Sequence, residues 1–83
     1  MEIYPSAYRH GIGDLDIEHA VAHALVTAED GEDTCLYLGP DHAGNLLEIV
    51  SVLREDGSEL IIQAMRMRRL YEPMLRDLGE PYA

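Results

Sequence analysis

Arg66, Arg68, Arg69 and Tyr71 fall within a short stretch directly after the apolar run Leu60-Ile61-Ile62-Gln63-Ala64-Met65. A guanidinium carries its donors in a planar fork that matches the oxygens of a phosphate or carboxylate, so such a cluster is suited to holding an anion. Cleavage of RNA without a metal needs a base for the 2′-hydroxyl, an acid for the 5′-leaving oxygen and positive charge beside the phosphorane-like transition state. His, Tyr and Arg fill these roles, and His10, preceded by Arg9, is a further candidate acid or base. Two plainer readings stand beside this one. His10 suits the C-terminal cap of a helix, and the arginines suit a solvated helix start paired with acidic side chains. In a helix over 66–71, Arg66 and Arg69 would be neighbours at i and i+3, while Arg68 would point away.

The charge distribution singles out the same region. The chain of 83 residues has 16 acids, 6 cations and a formal net charge of −10. Residues 1–59 hold all the acids except Glu72, Asp77 and Glu80, against only Arg9 and Arg54; residues 60–83 hold Arg66, Arg68, Arg69 and Arg76. An arginine cluster in so acidic a chain is where an anion can still be held. Every cation is arginine, which fits bidentate phosphate binding and equally fits the codon bias of a GC-rich genome.

Asp16, His19 and His23 form a second constellation, since helical spacing brings them to one face and His at i and i+4 can chelate a metal. The alternative is a solvated polar face. Cys35 sits inside an expected strand, where a small core residue is a better description than a nucleophile. A single cysteine allows no internal disulfide, and the sequence has no phosphate-cradling glycine loop, nucleophile elbow or cysteine metal knuckle. No charged-then-apolar leader or long apolar run is present, and the expectation is a soluble, cytoplasmic, bacterial protein without a cofactor.

The elements that must position these residues follow one another through short turns, in a single domain over residues 1–83. Hydrophobic residues make up 47% of the chain, but it has no Phe and no Trp. Its core must therefore come from aliphatic residues and Tyr, and such a thin core gains from dimerisation or a partner. A first short helix is expected from Tyr4 to Gly11, with Pro5 in its first turn and Gly11 past its end. A second, amphipathic helix is expected over 14–25, with Asp14 as N-cap and Ile17, Ala20, Val21, Ala24 and Leu25 on its apolar face. Leu25 to Glu29 is a short strand or an irregular exit, Thr34 to Leu38 a strand, and Leu46 to Arg54 and Glu59 to Met65 the strongest strands. A short final helix begins near Glu72, with Pro73 at its first position and Gly79 as its stop.

If Asp56 and Gly57 are the two central turn residues of the last hairpin, Arg54 faces Glu59, Leu53 faces Leu60, Val52 faces Ile61 and Val50 faces Gln63. Leu47, Ile49, Leu53, Leu60, Ile62 and Ala64 then point to the helices. Glu48, Val50, Val52, Ile61, Gln63 and Met65 form a mixed, partly exposed face.

The order of elements, the segment Arg9-His10-Gly11-Ile12 through Asp16-Ile17-Glu18-His19-Ala20-Val21, and the segment Leu60-Ile61-Ile62-Gln63-Ala64-Met65-Arg66 with Arg68, Arg69 and Tyr71 together resemble small bacterial toxins of the BrnT and RelE-like type. The resemblance implies an α+β fold with an antiparallel sheet, and the elements read above make this two N-terminal helices, an antiparallel meander of three to four strands and a short C-terminal helix. It implies a metal-independent endoribonuclease acting on mRNA and neutralised by a small antitoxin, often a ribbon-helix-helix protein. The implied catalytic residues are His10, Arg66, Arg69 and Tyr71, with Arg9 and Arg68 as RNA contacts. A net charge of −10 departs from this pattern, because phosphate contacts supply most nucleic-acid affinity. The alternative is a non-catalytic interaction module of the same fold, acting as a homodimer or by binding a partner.

Overall fold

A computed structural model describes residues 1–78 and shows an α+β architecture built on one five-stranded mixed sheet. Strand β1 is Glu2–Ile3, and a 3₁₀ turn at Pro5–Tyr8 leads to helix α1, Asp14–Ala22. Strands β2 (Val26–Glu29), β3 (Thr34–Pro40), β4 (Leu46–Leu53) and β5 (Glu59–Arg66) then form an antiparallel meander. A second 3₁₀ turn at Arg69–Tyr71 runs into helix α2, Glu72–Leu78. The spatial order is β1-β5-β4-β3-β2.

The meander was expected as the whole sheet, but β1 adds a parallel edge beside β5, with Glu2 opposite Leu60 and Ile3 opposite Ile61. Two residues are too few for a periodic signal. The expected first helix is a single 3₁₀ turn: Pro5 occupies its start, and the chain leaves it through Gly11 at φ +79°. It is tied to β5 by Tyr4 N, which donates to the Ile61 carbonyl at 2.8 Å, and by Ser6 Oγ, which donates to the Ile62 carbonyl at 2.7 Å. Helix α1 is capped by Gly13 rather than Asp14, whose carboxylate accepts a hydrogen bond from the Tyr8 hydroxyl instead. That carboxylate is the main reason the Tyr8 phenol is pushed above its ordinary range. The expected Gly79 stop lies outside the described residues.

The last hairpin differs by one residue at its tip. Arg54 N donates to Ser58 O at 2.8 Å and Gly57 N to Arg54 O at 2.9 Å, so the loop is Glu55-Asp56-Gly57 with Gly57 in the left-handed region, φ +87°. Leu53 therefore faces Glu59, Val52 faces Leu60 and Ser51 faces Ile61. A bulge at Ile62 then restores the expected pairing of Val50 with Gln63. The shift also exchanges faces: Ile61 enters the core with Ala7, Ile17, Ala20, Leu47, Ile49 and Ala64, while Leu60 and Ile62 are half-buried. The expected Arg54–Glu59 pair does not form. Arg54 Nη2 donates to Glu2 Oε1 at 2.7 Å, and Glu59 accepts from the Tyr37 hydroxyl.

The turn between β3 and β4 is organised by Asp41, 8% exposed, which accepts from Ala43 N at 2.9 Å, Asn45 N at 2.8 Å and Asn45 Nδ2 at 3.2 Å. Burial raises its pKa, but the hydrogen bonds and the nearby Arg66 outweigh this and hold it below the usual carboxylate range. Asp16 is likewise held down, first by the His42 backbone N–H, and Glu2 by Arg54. A carboxylate whose folded pKa is depressed stabilises the fold above its unfolded value, and the contribution is lost as pH falls through the folded value. The melting temperature is thus expected to fall on acidification below about pH 4, and Asp41→Asn to flatten that decline.

Candidate functional site

Strand alternation divides the sheet. Leu47, Ile49 and Ser51 of β4 face α1, whereas Glu48, Val50 and Val52 face the other side, opposite Leu38, Leu36 and Thr34 of β3 and Met65, Gln63 and Leu60 of β5. A carboxylate in this position must be neutralised or exposed. Glu48 is only 1% exposed, and its neutralisation comes from the segment after β5. There Arg68 turns back onto this face, and its Nε donates to Glu48 Oε1 at 2.7 Å. Glu48 Oε2 is buried with no partner among the described residues. The guanidinium is half exposed, lies 5.8 Å from the centre of the Tyr71 ring and is held charged more firmly by Glu48.

Glu48, Arg68 and Tyr71 thus form one constellation: an acceptor oxygen with a free lone pair, an exposed fork of donors and a phenol. It arises because the chain leaves β5 in extended conformation at Arg68, φ −85° and ψ 155°, and only then makes the 3₁₀ turn carrying Tyr71. The expected helix over 66–71 does not form, so Arg68 does not point away from the site; it is the arginine committed to it. Sequence reasoning missed Glu48, although an acid between Leu47 and Ile49 in the most apolar strand is the available signal.

The other expected residues are more dispersed. Arg66 ends β5 beside Asp41, Arg69 begins the second 3₁₀ turn, and neither forms an ion pair among the described residues. Arg9 and His10 are exposed after the first 3₁₀ turn, and no hydrogen bond, ion pair or ring contact among the described residues joins His10 to Arg66, Arg69 or Tyr71. Asp16, His19 and His23 lie at the β3–β4 turn. His19 Nδ1 sits 2.7 Å from the Pro40 carbonyl, so this histidine packs on the sheet instead of facing solvent.

Cys35 is half-buried and lines a cavity of about 420 Å³ with Glu29, Glu32, Asp33, Thr34, Leu53 and Glu59. Burial and the Glu59 carboxylate push the phenol of Tyr37, which donates to Glu59, far above its ordinary range. Four carboxylates around one opening make this cavity unfavourable to a polyanion. Among the described residues, no helix is long and apolar enough to cross a membrane. No family model, curated protein sequence or solved structure matches the chain.

Proposed function

We propose that the chain is a toxin-like, metal-independent endoribonuclease in which Glu48, Arg68 and Tyr71 carry the chemistry. The observation that supports this reading is the buried Glu48 carboxylate, with one oxygen on Arg68 and the other unpartnered. Glu48 takes the proton of the RNA 2′-hydroxyl, and the 2′-oxygen attacks phosphorus to form a cyclic phosphate as the bond to the 5′-oxygen breaks. Tyr71 gives its proton to that leaving oxygen. Arg68 releases Glu48 and turns its fork to the phosphate, so that one movement uncovers the base and brings charge to the transition state. Arg66, Arg69 and Arg9 supply contacts to flanking phosphates, and the proton-transfer roles expected of His10 fall to Glu48 and Tyr71. An antitoxin of the ribbon-helix-helix type is the fitting partner, since it would cover the Arg68 face.

The second reading, a non-catalytic interaction module, is favoured by the net charge of −10, which opposes RNA at long range. One experiment separates the two. Cleavage of mRNA and arrest of growth on induced expression are expected for the wild type, and Glu48→Gln and Tyr71→Phe are expected to lower the cleavage rate by about 10²–10⁴-fold with circular dichroism unchanged. Glutamine keeps the acceptor for Arg68 but is no base. Absence of cleavage and of growth arrest in the wild type overturns the nuclease reading, and a stable dimer or co-purifying protein in light scattering then supports the module.

A further inference from the structure

Three imidazoles meet where α1 approaches the β3–β4 turn. The rings of His19 and His23 stack at 4.2 Å between centroids and 14° between planes, and His42 lies against His19 at 4.2 Å and 41°. Each ring has its Nδ1 next to an oxygen: the Pro40 carbonyl at 2.7 Å for His19, the His19 carbonyl at 3.3 Å for His23, and Asp16 Oδ1 at 3.1 Å for His42. Asp16 also accepts from the His42 backbone N–H at 3.0 Å, which fixes the turn to the helix. No Nε2 has a hydrogen-bond partner among the described residues.

We propose that His19, His23 and His42 form a binding site for a divalent transition-metal ion, with Asp16 positioning His42. A metal-ligating histidine ordinarily donates one ring N–H to a carbonyl or carboxylate and binds the metal through the other nitrogen, and all three rings here have that outer partner in place. His19 lies in the last turn of α1 and His23 is its C-cap residue, four positions on, and the third is delivered by a turn that Asp41 organises. In the present rotamers the rings stack, and no three ligand-type side chains among the described residues converge on one point. Two nitrogens on one ion at about 2.0–2.1 Å stand roughly 3–3.5 Å apart with both lone pairs aimed at the metal, so binding must turn the His19 and His23 rings out of their 14° stack. Imidazole donors select zinc, nickel or copper over magnesium and calcium, which prefer oxygen. The acidic surface around Asp16 and Asp41 adds attraction for any cation. This site uses the helix-bearing side of the sheet and does not depend on the nuclease reading.

The test is calorimetric titration of untagged protein with zinc chloride and nickel sulfate, with magnesium chloride as control. The expected result is one saturable transition-metal site per chain, no response to magnesium and a rise in melting temperature with zinc. His19→Ala, His23→Ala and His42→Ala should each weaken zinc by at least about tenfold, Asp16→Asn by about tenfold, and His10→Ala not at all. Wild-type protein that shows no saturable binding with zinc in excess overturns the proposal. So does binding that survives His42→Ala unchanged, since that would be chelation by the helix pair alone.

Discussion

Replacing Arg68 with alanine is expected to destabilise the fold by about 3 kcal/mol, although the side chain is half exposed. The cost falls on Glu48. Its carboxylate is 1% exposed between Leu38 and Met65, and its second oxygen already lacks a partner. Removing the guanidinium leaves a buried carboxylate with nothing to offset its lost hydration, a change that typically costs 3–5 kcal/mol; the exposed flank of Arg68, where water can enter, places this case at about the lower bound. For a domain of this size each kcal/mol lowers the melting temperature by about 4–8 °C, so the variant should melt more than about 10 °C below the wild type. The double variant Glu48→Leu with Arg68→Ala removes the charge together with its partner and should recover most of the loss. If the double variant is no more stable than Arg68→Ala, the buried charge is not the cause. Glu48→Gln keeps the acceptor without the charge, so it tests activity where Arg68→Ala would confound it with unfolding.

The contrast between what could be read from sequence and what could not follows from the range of the interactions. Helix α1 and strands β3 to β5 were legible because their apolar periodicity is local, as at Ile17 and Ala20 or at Leu47 and Ile49. The hairpin tip was misread because Asp56-Gly57 fits a two-residue loop and the end of a three-residue loop equally well. The choice shows only in the backbone bonds of Arg54 with Ser58 and Gly57. Ile61 was assigned to the wrong face for the same reason, since a bulge at Ile62 leaves no mark in a run of consecutive apolar residues. At the candidate site the sequence pointed to the arginines but not to the carboxylate that Arg68 neutralises. Glu48 and Arg68 are twenty residues apart, and their meeting depends on the extended conformation of Arg68 after β5. Likewise, His42 joins His19 only through the closure of the β3–β4 turn on α1.

That closure rests on Gly39, and Gly39→Ala is expected to be as damaging as the loss of Arg68. A Cβ at this position would stand 2.1 Å from the Ala20 carbonyl oxygen, 3.0 Å from its carbon and 3.0 Å from the Ala24 Cα. All three obstructing atoms belong to the main chain, so no rotamer change can clear them. Trimming Ala20 to glycine would not help either. Helix α1 must lift from β3, which withdraws Ile17 and Ala20 from Leu47 and Ile49 and lengthens the contact of His19 with the Pro40 carbonyl. Overpacking a core costs about 1–3 kcal/mol where side chains can yield, and a main-chain obstacle places this substitution at about 3 kcal/mol or beyond. Gly13→Ser is the matched control. Gly13 caps the same helix at φ −85°, has open space for a Cβ, and gains a side-chain acceptor, which should leave stability unchanged or raise it by up to about 1 kcal/mol. Thermal melts of the two variants separate a general sensitivity of α1 to substitution from the specific demand for a bare backbone under Ala20. Equal melting temperatures for Gly39→Ala and wild type would mean that α1 does not sit on β3 at this distance.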